Sequence, residues 1–242
     1  MLDLSNVSAS IAGVSVLREI NAQIARGSTV AVVGRNGAGK TTLLRTIMGF
    51  VPHGAEGRIR LDGKDLSQVS SHDRPRLGIG YGPEDRVLFP SFTVEENLRF
   101  PCEVIRMSKR EIDRSLEEVL SIVPELKPLL GRSGAVLSGG QAKMAVLGRA
   151  LMVGTRLVLL DEPFQGLAPV LAAQYTESLN RLHVARPELT ILITESNRRL
   201  LKDIPTATWT LERGAMTVDV GVVGCGKQTE MISAPVTSNP VL

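Results

Sequence analysis

"STVAVVGRNGAGKTTLLRTIMG", residues 28–49, decides the fold of this 242-residue chain. Val30 to Val33 are apolar and mostly β-branched, which reads as a buried strand, and "LLRTIMG" reads as helix beginning near Gly39. Between them the pattern G-x-x-x-x-G-K-[ST] runs from Gly34 to Thr41. Gly34, Gly37 and Gly39 let the backbone turn tightly, so that the N–H groups of residues 35–42 (Arg35, Asn36, Ala38 and Thr42 among them) can face phosphate oxygens. The helix N-terminus adds partial positive charge at the same place. Lys40 is placed for the β- and γ-phosphates and the Thr41 hydroxyl for Mg²⁺. A glycine-rich turn carrying a lysine by chance would need neither the strand before nor the helix after. The stretch is therefore expected to hold a nucleoside triphosphate.

Around this loop the chain is β-rich. Leu2–Val7 alternate apolar and polar residues, "VLREINAQIARG" reads as a second strand ending at Gly27, "GRIRLDGKDL" (57–66) as a strand and turn, and "LGIGYGPED" as a short strand ending at Pro83. Helical signals then take over across about 87–153. Thr93 with Glu96, and Ser108 with Glu111, have the spacing of capping boxes. Ile112, Leu116, Val119, Leu120 and Val123 follow helical periodicity, until Pro124 and Pro128 interrupt it. Strand signals return at "RLVLLDEP", followed by a helix at about 169–185, a strand at Leu189–Thr194, a short helix and two last strands. The expectation is one α/β domain over 1–222, with its nucleotide-binding core at about 1–86 and 154–222 and a helical subdomain inserted at about 87–153. Residues 223–242, polar and rich in Pro, Ser and Thr, read as a frayed tail.

Two further motifs carry chemistry. "LVLLDEP" sets Asp161 and Glu162 at the C-terminal end of a buried strand, where ligands bind in open parallel sheets. Asp161 is placed to hold Mg²⁺ through water beside Thr41, and Glu162 to orient or deprotonate the attacking water. In "LSGGQ", Leu137 to Gln141, Ser138 can cap the helix that follows, while Gly139 and Gly140 leave its first turn bare. That makes a second phosphate-binding surface. One γ-phosphate does not need two such surfaces in one chain, so the arrangement suggests two chains head to tail, each covering the other's nucleotide.

Composition removes other classes. The chain is 43% hydrophobic, so a sizeable core is possible, and its net charge of +3 is spread out with only 3% aromatics, which gives no footprint for nucleic acid. Cys102 and Cys225 stand alone, without zinc or disulfide spacing. No apolar run approaches membrane-spanning length, and the start lacks the basic and apolar runs of a signal peptide. A soluble cytoplasmic protein is the expectation.

The order "GRNGAGKTT", "LSGGQ", "LVLLDEP", "GLAP" (166–169) resembles the ABC transporter ATPases over about residues 2–220. The resemblance implies a P-loop NTPase fold with a RecA-like core, an N-terminal antiparallel β region and an inserted α-helical subdomain. It implies ATP and Mg²⁺ as cofactors, a second ATPase subunit in a sandwich dimer, and transmembrane permease subunits docked on the helical subdomain. It also implies a peripheral location at the inner face of the cell membrane. "GYGPEDRVLFPSFTVEENL" resembles the smaller ATPase subunit of branched-chain amino-acid importers, and importers of urea and short amides share these features. A periplasmic solute-binding protein is then an indirect partner. In that branch Glu84 stands where most of the family has Gln, and it joins Thr41 and Asp161 as an expected Mg²⁺ ligand.

The chain departs from the family at two places. Alignment puts Ile11 where an aromatic residue usually stacks on adenine. Ser196 stands where many members carry a catalytic switch histidine, and its short side chain is expected to stop short of the γ-phosphate. The three histidines, His53, His72 and His183, lie elsewhere and read as surface or packing residues. A regulatory or weakly hydrolysing module and an exporter ATPase stay open as alternatives.

Overall fold

The computed structural model describes residues 1–85, 88–201 and 204–219. The region read as a tail, Cys225 included, and Val87 lie outside the described residues. A small sheet is built from β1 (Leu2–Ile11), β2 (Val14–Ile24), β4 (Arg58–Leu61) and β5 (Lys64–Asp65), which pair antiparallel in the order β2-β1-β4-β5. The large sheet contains β3 (Thr29–Val33), β6 (Ile79–Gly82), β7 (Leu157–Asp161), β8 (Thr190–Glu195), β9 (Ala207–Glu212) and β10 (Ala215–Asp219). Its order is β10-β9-β3-β8-β7-β6, and all its pairs except β9–β10 are parallel.

The two sheets follow their sequence patterns. In β1, buried Leu2 and Leu4 alternate with the half-exposed Asp3 and Ser5, as a sheet with one wet face requires. The inner strands of the large sheet are apolar throughout because both faces are covered. Leu157, Leu159, Val30, Val32 and Leu192 pack towards α1 (Lys40–Ile47) and the small sheet. Val158, Leu160, Ala31, Ile191 and Ile193 pack towards the remaining helices. Side chains of period two thus feed two cores from one sheet.

Those helices are α2 (Val94–Val104), α3 (Lys109–Ile122), α4 (Gly139–Val153) and α5 (Pro169–Ala185). Both capping boxes form: Thr93 and Ser108 accept from the N–H groups of Glu96 and Glu111, and each glutamate reaches back to its cap. Pro124 opens a 3₁₀ segment, Pro124–Leu129, that ends the α3 pattern. Twelve of the fifteen residues of α4 are buried, so it lacks a solvent face and packs between the large sheet and α2 and α3. The helices consequently share one hydrophobic core with the sheet and do not form a separate one. Among the described residues no helix is long and apolar enough to cross a membrane.

Candidate functional site

The phosphate loop leaves β3 at Gly34, whose N–H donates to Glu195 O. It enters α1 through Gly39, which caps the helix at φ 108°, a conformation that glycine adopts without Cβ strain. No side chain caps α1 and no acidic residue lies in its first turn, so its N–H groups and dipole remain available to an anion. A cavity of about 410 Å³ opens there, lined by Asn36, Gly37, Gly39, Lys40, Thr41 and Thr42, with Val16, Glu84 and Glu162 opposite. Gly34, Arg35 and Ala38 line the outer side of the loop instead, facing residues 210–213. Gly214 N–H donates to Ala38 O there, which braces the loop from behind.

Lys40 is 4% exposed; its Nζ donates to Gly34 O at 2.8 Å and Arg35 O at 3.2 Å and stands 3.0 Å from Glu162 Oε1. Asp161 ends β7 directly opposite Thr194 of β8 in register, and its Oδ1 accepts from Thr194 Oγ1 at 2.5 Å. Asp161 Oδ2 is buried without a hydrogen-bond partner among the described residues. Burial holds the Asp161 carboxyl above its usual range, and the Thr194 and Thr41 hydroxyls oppose that shift. Glu84 is shifted in the same direction, first by burial and then by the charges of Glu162 and Asp161. An orphaned buried carboxylate oxygen, a second destabilised carboxylate and a threonine hydroxyl form a set of hard oxygen donors, which suits Mg²⁺. No cluster of three or more His, Cys, Asp or Glu residues among those described could hold a metal alone.

Glu162 is buried and sits at φ 43°, a left-handed backbone that costs a β-carbon-bearing residue about 1–3 kcal/mol and is typical of functional sites. Its carboxylate is held on both oxygens, by Lys40 at Oε1 and by the Ser196 hydroxyl, which donates to Oε2 at 3.1 Å. Ser196, expected to stop short of the γ-phosphate, has a defined partner in Glu162. Glu195 beside it is fully buried; desolvation pushes its carboxyl up to about 7, and Oε1 accepts from Phe164 N–H at 2.8 Å.

The structure adds detail at two of the expected sites. Ile11 is 46% exposed and does not line the cavity; Val16 does. No motif marks Val16; its carbonyl oxygen stands 3.1 Å from where a Cβ on Gly39 of the loop would be. In the 137–141 stretch, Ser138 and Gln141 close a capping box on each other, at 3.3 Å and 3.0 Å. Gly140 is buried beside α5, where a Cβ would come 2.1 Å from Leu171 Cδ1, so a larger residue would need the Leu171 side chain to move. None of Leu137, Ser138, Gly139, Gly140 and Gln141 lines the cavity that holds Lys40. The structure therefore joins Lys40, Thr41, Glu84, Asp161, Glu162 and Ser196 in one place and leaves 137–141 outside it. The histidines also lie outside it: His53 bonds within its own turn and His72 and His183 are exposed.

The family model described as "ABC transporter" matches residues 17–165. The chain belongs to the ABC transporter ATP-binding family. This ATPase has relatives across nearly its whole length. It is 34% identical over 218 residues to the high-affinity branched-chain amino acid transport ATP-binding protein BraG of Pseudomonas aeruginosa, covering 90% of this chain and 91% of that one. The probable branched-chain amino acid transport ATP-binding protein LivF of Archaeoglobus fulgidus is 32% identical, with 88% and 89% covered. The lipopolysaccharide export system ATP-binding protein LptB of Acidithiobacillus ferridurans is 31% identical, with 91% and 87% covered. Among solved structures, the ADP conformation of MJ1267, an ATP-binding cassette of an ABC transporter, superposes with a TM-score of 0.75 at 25% identity, covering 90% of this chain and 89% of that one. The P-loop NTPase fold and the ATPase class expected from the sequence both hold.

Proposed function

We propose that this chain is the ATP-hydrolysing subunit of an importer for branched-chain amino acids or related small polar solutes, peripheral to the cytoplasmic face of the membrane. Lys40, Thr41, Glu84 and Glu162 line one cavity, and Glu162 is held there by Lys40 and Ser196, which carries the hydrolytic reading. The solute follows from the likeness to BraG and LivF over about nine-tenths of the chain. In this reading the N–H groups of residues 35–42 and Lys40 bind the ATP phosphates, which draws Lys40 away from Glu162. Thr41, Asp161 and Glu84 would hold Mg²⁺, which when bound neutralises charge on the phosphates. Glu162, oriented by Ser196, takes the proton of the attacking water. Residues 137–141 act on the ATP of the second subunit, which supplies the same stretch in return.

An apolar groove of about 350 Å³ between β6 and α2 is the proposed seat of a permease segment. Phe89, Phe92 and Phe100 stack on one another beside it, with centroids 4.8–5.8 Å apart. Phe89 is 40% exposed and the other two are half-buried, whereas Val94 and Leu98 belong to the core.

Steady-state hydrolysis by the purified chain and uptake by cells lacking it test the reading together. Loss of leucine, isoleucine and valine uptake is expected. Intact uptake of all three with loss of another solute would overturn the solute and leave the ATPase standing. A second reading, a weakly hydrolysing module that needs an unlike ATPase partner, is favoured by the short Ser196 standing at the position of the switch histidine.

A further inference from the structure

Glu162 needs its left-handed backbone to aim its carboxylate, and such a peptide persists only where its neighbours over-determine it. The N–H side is held by Thr194: Glu162 N donates to Thr194 O at 3.1 Å and to its Oγ1 at 3.2 Å. The carbonyl side receives Gln165 N–H at 3.3 Å, a long bond. It also receives Lys143 Nζ at 2.5 Å, a short charge-assisted bond. Lys143 is 7% exposed, in a helix otherwise filled by Ala142, Met144, Val146 and Leu147. A lysine is costly at such a depth unless its charge is used. Its charge also acts on two nearby carboxylates, opposing in part the burial that raises Glu195 and Glu84. The same helix opens with the 137–141 turn, two residues before Lys143.

We infer that Lys143 is a positioning residue for Glu162: its ammonium pins the Glu162 carbonyl, so the left-handed peptide and the carboxylate it aims stay fixed during hydrolysis. Lys143 does not line the nucleotide cavity, and its proposed effect on hydrolysis passes through Glu162. The inference rests on the proposed hydrolytic role of Glu162.

The test is a double-mutant cycle on the full chain, with kcat and KM for ATP and single-turnover rates for the slowest variants. Lys143→Met is expected to lower kcat about 10-fold or more, with KM within about twofold and cooperative unfolding retained. Lys143→Arg, which keeps a charged donor, is expected to recover most of the rate. In the Glu162→Gln background Lys143→Met should cost nothing further. An equal fractional loss in both backgrounds, a KM that rises in step with the fall in kcat, or an unchanged kcat overturns the inference. Should Lys143→Met not fold, Lys143→Gln takes its place in both backgrounds and the same outcomes decide. If Glu162→Gln alone turned over like the unaltered chain, the hydrolytic reading itself would fall, an outcome distinct from a silent Lys143.

Discussion

The Ser196 hydroxyl donates a hydrogen bond to Glu162 Oε2 at 3.1 Å, on the oxygen that Lys40 does not hold. The residue expected to leave a gap at the γ-phosphate thus bonds to the carboxylate proposed to activate water. Removing it with Ser196→Ala should reduce kcat roughly 10- to 150-fold, the scale of a hydrogen bond to a charged group, with little change in KM. Ser196→His tests the same position from the other side. If the unaltered chain is already fast and histidine adds nothing, position 196 does not limit turnover and an unlike partner is not needed.

Glu162→Gln should abolish turnover, by about 10²-fold or more, and leave ATP binding intact. With ATP unspent, the subunits should accumulate as a dimer by size-exclusion chromatography. Hydrolysis by the variant at the unaltered rate would remove Glu162 from the role of base.

Stability should fall with rising pH on account of Glu195. Its folded pKa, about 7, lies above the ordinary carboxylate value of 4.5. The folded state therefore binds more protons than the unfolded chain between those values, and the contribution present below about 4.5 is lost as pH rises through 7. Glu195→Gln, which keeps an acceptor for Phe164 N–H, should flatten the dependence of Tm on pH between about 5 and 8. Parallel curves for the two proteins would contradict the raised pKa.

Gly80 of β6 faces α4 so closely that a Cβ would stand 2.1 Å from Ala150 O, a backbone atom that cannot swing aside. Gly80→Ala should cost about 1–3 kcal/mol, or roughly 2–12 °C in Tm for a domain of this size. Calorimetry showing no loss would mean that the strand–helix spacing is looser than described.

Phe89→Ser should spare ATP hydrolysis by the isolated chain, since Phe89 lies outside the nucleotide cavity. It should weaken co-purification with the permease subunits and lower uptake. Undiminished assembly would leave the aromatic cluster as ordinary packing.

The amino-acid order by itself determined what is local in this protein. A β-branched run, three glycines and a lysine make a strand, a phosphate loop and a helix because each neighbour biases the next few dihedrals. The capping boxes at Thr93, Ser108 and Ser138, the two-faced apolar strands and the placement of Asp161 and Glu162 at a strand end have the same short range. Tertiary structure alone decided what depends on register and on packing between distant segments. Thr194 meets Asp161 because β7 and β8 pair in one register and not another. Val16 of β2, which no local motif marks, lines the phosphate-loop cavity because strand pairing and packing bring it there. Lys143 looks like any helical lysine until α4 is buried on all sides and its ammonium meets the Glu162 carbonyl, 19 residues further along the chain. Periodicity reports which face is apolar; it carries no information on which single polar atom a distant strand will present to that face.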